Sequence, residues 1–296
     1  MRLIHSTQLA AARPSQGTAD LIQKVSAKSL QGFVEALAYP RHYVAQAEAN
    51  RRAAGQIAEV LASFGYEVQR QGFYGNVVAL PRGYAGPLTL VGSHYDTVPA
   101  TPGADDNGSA IAGMLECARV LAGRGAPVGF VSFNCEEDGL LGSAEFVKDW
   151  VPGYRGGVVA VHVLEMIGFA SSAPGSQRVP PGLPITLPDR GDFLGLLSNQ
   201  DSGALLDATV RAARAAVPEF PVIGLDVPDG AEQFFPVLLR SDHAPFWDAR
   251  IPALMWTDTS EFRNANYHQS TDTPDTLDYE FLANVTRALV ASVLPG

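Results

Sequence analysis

The chain contains few cysteines and few basic residues. Only two of its 296 residues are cysteine, Cys117 and Cys135, which are too few for a disulfide scaffold and lack the spacing of a thiolate zinc site. We expect both to be small buried packing residues. The 21 basic residues against 31 acidic ones give a net charge of −10, which disfavours binding to nucleic acid or to an anionic membrane surface. A peptide or other small amide is the expected partner.

Long apolar runs are also missing. The first eight residues contain no apolar run long enough for the core of a signal peptide, and no other segment approaches the length of a membrane helix. These absences predict a cytoplasmic protein. The alternative is an exported protein whose signal peptide has been removed, since the remaining sequence would look the same. The oligomeric state is left open.

Helical and strand-like patterns alternate along most of the chain. Residues 18–64 carry helical apolar stripes, residues 66–91 resemble short strands separated by turns, and from residue 109 onwards helices alternate with apolar runs of strand length. This alternation indicates a largely parallel sheet covered on both faces. We predict a single domain over residues 18–296, preceded by a loosely held tail at 1–17. Residues 171–192, rich in proline and glycine, are expected to form a long loop, either a lid over a site or an ordinary surface excursion.

Potential metal ligands follow three of the apolar runs. Residues 88–93 lead to His94, residues 131–135 lead to Glu136 and Glu137, and residues 158–164 lead to Glu165. Ligands of an open parallel sheet bind beyond the carboxyl ends of its strands, so these side chains are expected to meet at one edge. The pattern predicts an acidic metal site.

Two aspartates near the metal-ligand candidates have both structural and functional interpretations. Asp106 follows Asp105 just before a predicted helix, where the residue types are those of helix caps, but one aspartate can cap while the other binds a cation. Asp96 lies two residues after His94, where it could orient the imidazole or form a turn.

The neighbours Glu136 and Glu137 are expected to have different roles. Consecutive side chains of an extended segment point to opposite sides, so one can bind metal while the other faces a water molecule. His268 lies in a polar segment, which suits a ligand supplied by a loop but also a surface histidine.

Six segments together resemble peptidase family M28, a family of co-catalytic zinc aminopeptidases. They occur in the family's order and cover roughly residues 73–277. The matching stretches are 92–96, 103–109, 136–143, 164–168, 241–243 and 268–273.

The resemblance implies a dizinc site and a three-layer α/β/α sandwich with a mixed, mostly parallel central sheet. It implies that Asp106 bridges two zinc ions, that His94 and Glu165 complete one site, and that Glu137 and His268 complete the other. Glu136 would be the general base and Asp96 would orient His94. Glu165 departs from the commonest family pattern, which has aspartate there; zinc accepts either carboxylate.

The expected activity is that of an aminopeptidase, with two alternatives. Glutaminyl cyclases share the fold and much of the pattern but resemble single-zinc transferases, and a non-catalytic binding homologue would be expected to have lost ligands. No serine nucleophile motif is present, which disfavours a covalent mechanism.

Several further residues complete the predictions. His162 is expected to be a core histidine, and His243 is expected to support the site through hydrogen bonds without binding metal. The candidates for a specificity pocket, with loop packing as the alternative, are Phe262, Arg263, Asn264 and Tyr267.

Overall fold

A single mixed β-sheet organises the molecule. The computed structural model describes residues 1–10 and 12–294, and within them nine strands form the sheet in the spatial order first, eighth, seventh, ninth, sixth, fourth, fifth, third, second. The strands are β1 (Arg2–His5), β2 (Glu67–Gln71), β3 (Asn76–Leu80), β4 (Leu88–His94), β5 (Val128–Phe133), β6 (Val158–Glu165), β7 (Leu194–Ser198), β8 (Val222–Asp226) and β9 (Ala253–Thr257).

The centre of the sheet is parallel and its two ends are antiparallel. Strands β5, β4, β6 and β9 run parallel to one another, and β7 and β8 form a second parallel pair. Antiparallel pairs join β2 to β3, β3 to β5, β7 to β9 and β1 to β8. The predicted α/β class with a mixed sheet is confirmed.

Helices cover both faces of the sheet and enclose two apolar cores. The larger core holds Leu30, Ile57 and Leu289, whereas the other holds Phe133, Phe146 and Phe246 on the opposite face. The helices are α1 (Gln16–Ile22), α2 (Ala27–Leu37), α3 (Ala47–Ser63), α4 (Ala110–Leu121), α5 (Leu141–Glu145), α6 (Gly203–Ala216), α7 (Ala244–Asp248) and α8 (Tyr279–Ser292). In the described part of the chain, no helix has the length and apolar character needed to cross a membrane.

The N-terminal segment differs from the prediction. Its first residues, expected in a loosely held tail, form the edge strand β1, in which Leu3 pairs with Leu225 of β8. The prediction is therefore wrong for residues 2–5. A four-residue strand has too short a pattern to be recognised in sequence, and its partner lies more than 200 residues away.

Two other segments can be compared with the prediction, the helical region and the long loop. The helical region predicted at 18–64 consists of three helices. The second begins at Ala27 and is capped by Ser26, whose side chain accepts the backbone N–H of Ser29 at 3.2 Å. Residues 171–192 form the expected loop; among the described residues its one strand-like contact is the bridge between Ser171 and Gly191.

Candidate metal centre

The predicted ligands meet at the carboxyl edge of the central parallel strands. Strand β4 ends on His94 and β6 ends on Glu165, and these strands are direct neighbours. On the other side of β4, strand β5 leads into Glu136 and Glu137. Because three adjacent parallel strands end at one edge, side chains far apart in sequence lie together, as expected for an open α/β sheet.

Three side chains form a first cluster. The Nε2 atom of His94 lies 3.4 Å from Oδ1 of Asp106 and 3.4 Å from Oε2 of Glu165. All three residues are buried, and one ligand atom from each lies within 4.8 Å of the others.

A second cluster shares Asp106 with the first. The Nε2 atom of His268 lies 3.2 Å from Oδ2 of Asp106 and 3.2 Å from Oε2 of Glu137. Asp106 therefore offers one carboxylate oxygen to each histidine. The structure thus brings together all five side chains that the sequence singled out as ligands.

The spacing of these atoms fits ligands around a shared cation better than direct hydrogen bonds. Charged N–H to carboxylate bonds are about 2.7–2.9 Å long, whereas two ligands about 2.1 Å from a tetrahedral zinc ion lie about 3.4 Å apart. In the described residues, Nε2 of His94, Nε2 of His268 and Oε1 of Glu137 are buried without a hydrogen-bond partner. Buried polar atoms of this kind are normally paired, so the donor set fits zinc.

The charges of the site also favour a bound cation. Burial, together with the negative charge of Asp106, raises the pKa of Glu137 to about 7. Burial also raises the pKa of Glu136 well above its usual value, against the attraction of His94. For His268, burial lowers the pKa, but the nearby carboxylates of Asp106 and Glu137 outweigh it and raise the pKa to about 10. Carboxylates so close and so little solvated favour a positive charge between them.

Asp96 connects His94 to the two glutamates. Its Oδ1 atom lies 3.4 Å from Nδ1 of His94, the ring nitrogen that faces away from the two clusters. The backbone carbonyl of Asp96 is 3.3 Å from the same nitrogen. The Asp96 carboxylate also accepts the backbone N–H groups of Glu136 and Glu137.

Asp105 and Asp272 hold the segment that carries Asp106. The Asp272 carboxylate accepts the backbone N–H groups of Asp105 at 2.8 Å and of Asp106 at 3.1 Å. Asp105 turns its own carboxylate away to accept Gly168 N–H at 3.0 Å and Asn264 Nδ2 at 2.7 Å. Of the two adjacent aspartates, Asp105 thus accepts one backbone and one side-chain amide donor, while Asp106 faces the histidines.

Two residues that the sequence analysis did not single out position Glu165. The hydroxyl of Ser241 donates to Oε2 of Glu165 at 2.8 Å, and Nδ2 of Asn107 lies 3.4 Å from the same oxygen. Both residues lie inside the matching stretches named above, which was the available signal. The support expected from His243 is absent among the described contacts of Glu165, because Nε2 of His243 bonds to the backbone carbonyl of Leu238.

The remaining histidine and loop candidates occupy different surroundings. His162 is a buried core histidine whose Nδ1 accepts Trp256 Nε1–H at 3.1 Å. Phe262 and Tyr267 line a cavity beside the carboxylates, whereas Arg263 is buried and donates to the backbone carbonyls of Phe169 and Phe193. Asn264 binds Asp105, and both cysteines are buried and free.

Comparison with known proteins shows which family the chain resembles. A model of peptidase family M28 matches residues 76–293. The uncharacterized protein YfbL of Escherichia coli (strain K12) is 36% identical over 258 residues, which cover 81% of this chain and 78% of that protein.

Two solved structures are similar in fold. BSAP, a zinc aminopeptidase from Bacillus subtilis, superposes with a TM-score of 0.55 at 26% identity; the match covers 74% of this chain and 49% of that one, so this chain spans about half of its length. The glutaminyl cyclase of Porphyromonas gingivalis superposes with a TM-score of 0.68 at 22% identity, covering 93% and 98% of the two chains. At that identity the second likeness concerns the fold alone.

Proposed function

The chain belongs to peptidase family M28, and from that premise we propose that it is a zinc-dependent aminopeptidase that removes N-terminal residues from peptides. The observation that carries the proposal is the position of Asp106, whose two carboxylate oxygens face His94 and His268 separately. This arrangement suits two cations that share one bridging carboxylate.

In this proposal the five side chains divide between two zinc ions. His94, Asp106 and Glu165 would hold one ion, and Asp106, Glu137 and His268 would hold the other. When bound, the two ions would polarise the scissile carbonyl and lower the pKa of a water molecule.

Glu136 is the proposed general base. Its Oε2 atom lies 3.9 Å from Nε2 of His94, beside the ligands, while its backbone N–H is held by Asp96. The Glu136 carboxylate accepts a proton from the attacking water and returns it to the leaving amine. The carbonyl carbon gains a bond to the water oxygen as its bond to nitrogen breaks, so the products are a carboxylic acid and a free amine.

Metal analysis combined with a peptide assay tests this proposal. The purified protein is expected to contain about two zinc ions per chain and to release the N-terminal residue from unblocked peptides. The same peptides with an acetylated N-terminus are the matched control and should react much more slowly. A zinc-loaded protein that cleaves none of a panel of unblocked peptides would contradict the proposal.

A glutaminyl cyclase is the second candidate, supported by the fold shared with the Porphyromonas gingivalis enzyme. The complete second set of side chains, Asp106, Glu137 and His268, favours the dizinc hydrolase instead. A peptide with N-terminal glutamine separates the two, because hydrolysis releases glutamine whereas cyclisation releases ammonia and leaves a peptide of the same length. A protein that retains no zinc and changes no peptide would be a binding homologue.

A further inference from the structure

A long apolar cavity begins at the candidate metal centre. It has a volume of about 350 Å³, and at one end it is lined by Asp106, Glu136, Glu137 and Glu165. At the other end it is lined by Leu3 of the edge strand β1. The cavity therefore connects the reacting centre with the far edge of the sheet.

The floor of the cavity is one face of five neighbouring strands. Register pairs Met255 with Leu197, Leu197 with Leu225, and Leu225 with Leu3, and all four side chains line the cavity. Paired residues point to the same face of a sheet, so these four form one continuous row.

A second row runs beside the first and begins at a candidate metal ligand. Glu165 pairs with Thr257, Thr257 pairs with Gly195, and Gly195 pairs with Ile223. From β6 to β1 the sheet crosses four strand spacings, which at about 4.8 Å each amount to about 19 Å.

The roof is formed by the long loop. Leu183, Ile185 and Leu187 line the cavity, whereas Pro184, Thr186 and Pro188, which alternate with them, are exposed. This alternation is that of an extended segment that turns one apolar side inwards. The loop thus covers the cavity rather than making an unrelated surface excursion.

Charge is confined to the end of the cavity near the metal centre. Besides the four carboxylates, the charged residues among the described lining are Arg240 and Glu261, which form an ion pair with each other. Arg240 also donates to the hydroxyl of Tyr267, whose ring stacks on His268. Beyond this end the described lining is uncharged and mainly aliphatic, so it favours a hydrocarbon group.

The volume is larger than one ordinary side chain needs. An apolar cavity of about 150 Å³ already holds benzene, the ring of a phenylalanine side chain, and this cavity has more than twice that volume. Because its lining extends over five neighbouring strands, the cavity suits a chain better than a ring.

We propose that the acyl part of the substrate carries an extended hydrocarbon chain, longer than the side chain of any standard amino acid, which lies between the β-sheet and the 183–187 segment. This inference rests on the proposed amide hydrolysis at the metal centre. The scissile carbonyl lies at the carboxylates, the chain extends toward Leu3, and the amine product leaves on the opposite side.

A homologous series of linear primary amides tests the proposal by direct binding. Butanamide, pentanamide, hexanamide, octanamide and decanamide are titrated into the zinc-loaded protein by calorimetry. Because each buried methylene contributes about 0.8 kcal/mol, affinity is expected to rise roughly fourfold for each added methylene up to octanamide or beyond. A plateau reached before octanamide overturns the proposal, because pentanamide already matches the chain length of a leucyl group and hexanamide that of a methionyl group.

Two variants in the same strand provide the matched comparison. Leu3→Trp enlarges the side chain at the far end of the cavity and should weaken octanamide binding at least tenfold while leaving butanamide binding unchanged. Ile4→Trp makes the same kind of change on the opposite face of β1, where Ile4 packs against the other core, and should leave both affinities unchanged. Equal effects of the two variants would overturn the proposal.

A further variant and an activity assay distinguish failure of the cavity proposal from failure of the proposed function. Should Leu3→Trp fail to fold, Leu187→Trp in the roof replaces it with the same expectation. Turnover of an unblocked leucine anilide or peptide without chain-length-dependent binding supports the proposed function and overturns the cavity proposal. Chain-length-dependent binding without turnover of any unblocked peptide supports the cavity proposal and contradicts the proposed function.

Discussion

The Oδ2 atom of Asp96 accepts the backbone N–H of Glu137 at 3.2 Å. The other oxygen of the same carboxylate accepts the backbone N–H of Glu136 at 3.2 Å and lies 3.4 Å from Nδ1 of His94. Asp96 is fully buried, so these contacts are shielded from water. One carboxylate therefore sets the positions of a ligand histidine, a ligand glutamate and the proposed base.

Replacing Asp96 with asparagine should weaken zinc binding by about 10- to 100-fold, the range typical of residues that orient a metal ligand. The asparagine side chain has one carbonyl oxygen and can accept only one of the two backbone N–H groups. Its NH₂ group would face the other N–H, so two donors would lie against each other. A chelator competition titration measures the change. Asp138→Asn is the matched control, because Asp138 is exposed and pairs with His42. Equal zinc affinities of Asp96→Asn and the wild type would contradict this role.

The Glu136→Gln variant should retain zinc and lose activity. Glutamine has nearly the same shape as glutamate but cannot accept the proton of the attacking water, so kcat is expected to fall by about 10²- to 10⁴-fold. Metal analysis and peptide turnover are measured on the same preparation. Undiminished turnover would rule out Glu136 as the base.

Replacing Glu165 with aspartate should weaken the binding of one zinc ion more than that of the other. Strand β6 lies between β4 and β9, so its backbone cannot move forward to compensate for the lost methylene. We expect the affinity at the His94 side to fall by about tenfold or more, with the His268 side little changed. A stepwise chelator titration resolves the two ions, and Glu145→Asp, whose carboxylate binds the backbone N–H of Phe73, is the control. Equal weakening of both ions would count against the assignment.

His162 should make the fold less stable in acid. Burial lowers the pKa of His162 to about 4, and its Nδ1 must stay unprotonated to accept the Trp256 N–H. The folded-state pKa is thus below the unfolded value of about 6.5, so its contribution to stability is complete above pH 6.5 and is lost as the pH falls toward 4.

The loss expected from His162 is roughly 3 kcal/mol over that range. In a His162→Gln variant the free energy of unfolding should differ from the wild type by a constant amount above pH 7, and the difference should shift in favour of the variant as the pH falls. Urea unfolding at a series of pH values measures it. A difference that stays constant down to pH 4 would contradict the prediction.

The strand ends and the order of the motifs were readable from the sequence because both are local. Apolar runs leading to His94 and Glu165 predicted where strands end, and the family pattern added Asp106 and His268. The resemblance to family M28 and the mixed α/β sheet are confirmed. That the five side chains bind zinc stays a prediction, as does the single domain over 18–296.

The tertiary structure decided what depends on pairing between distant segments. The edge strand β1, the contact of Ser241 with Glu165 and the row from Met255 to Leu3 each join residues far apart in sequence. Local periodicity records which face of a strand is apolar but not which strand lies beside it. The sequence by itself therefore determined the set of chemical groups at the centre. Strand order and register determined that Asp106 faces two histidines and that a long apolar cavity begins beside them.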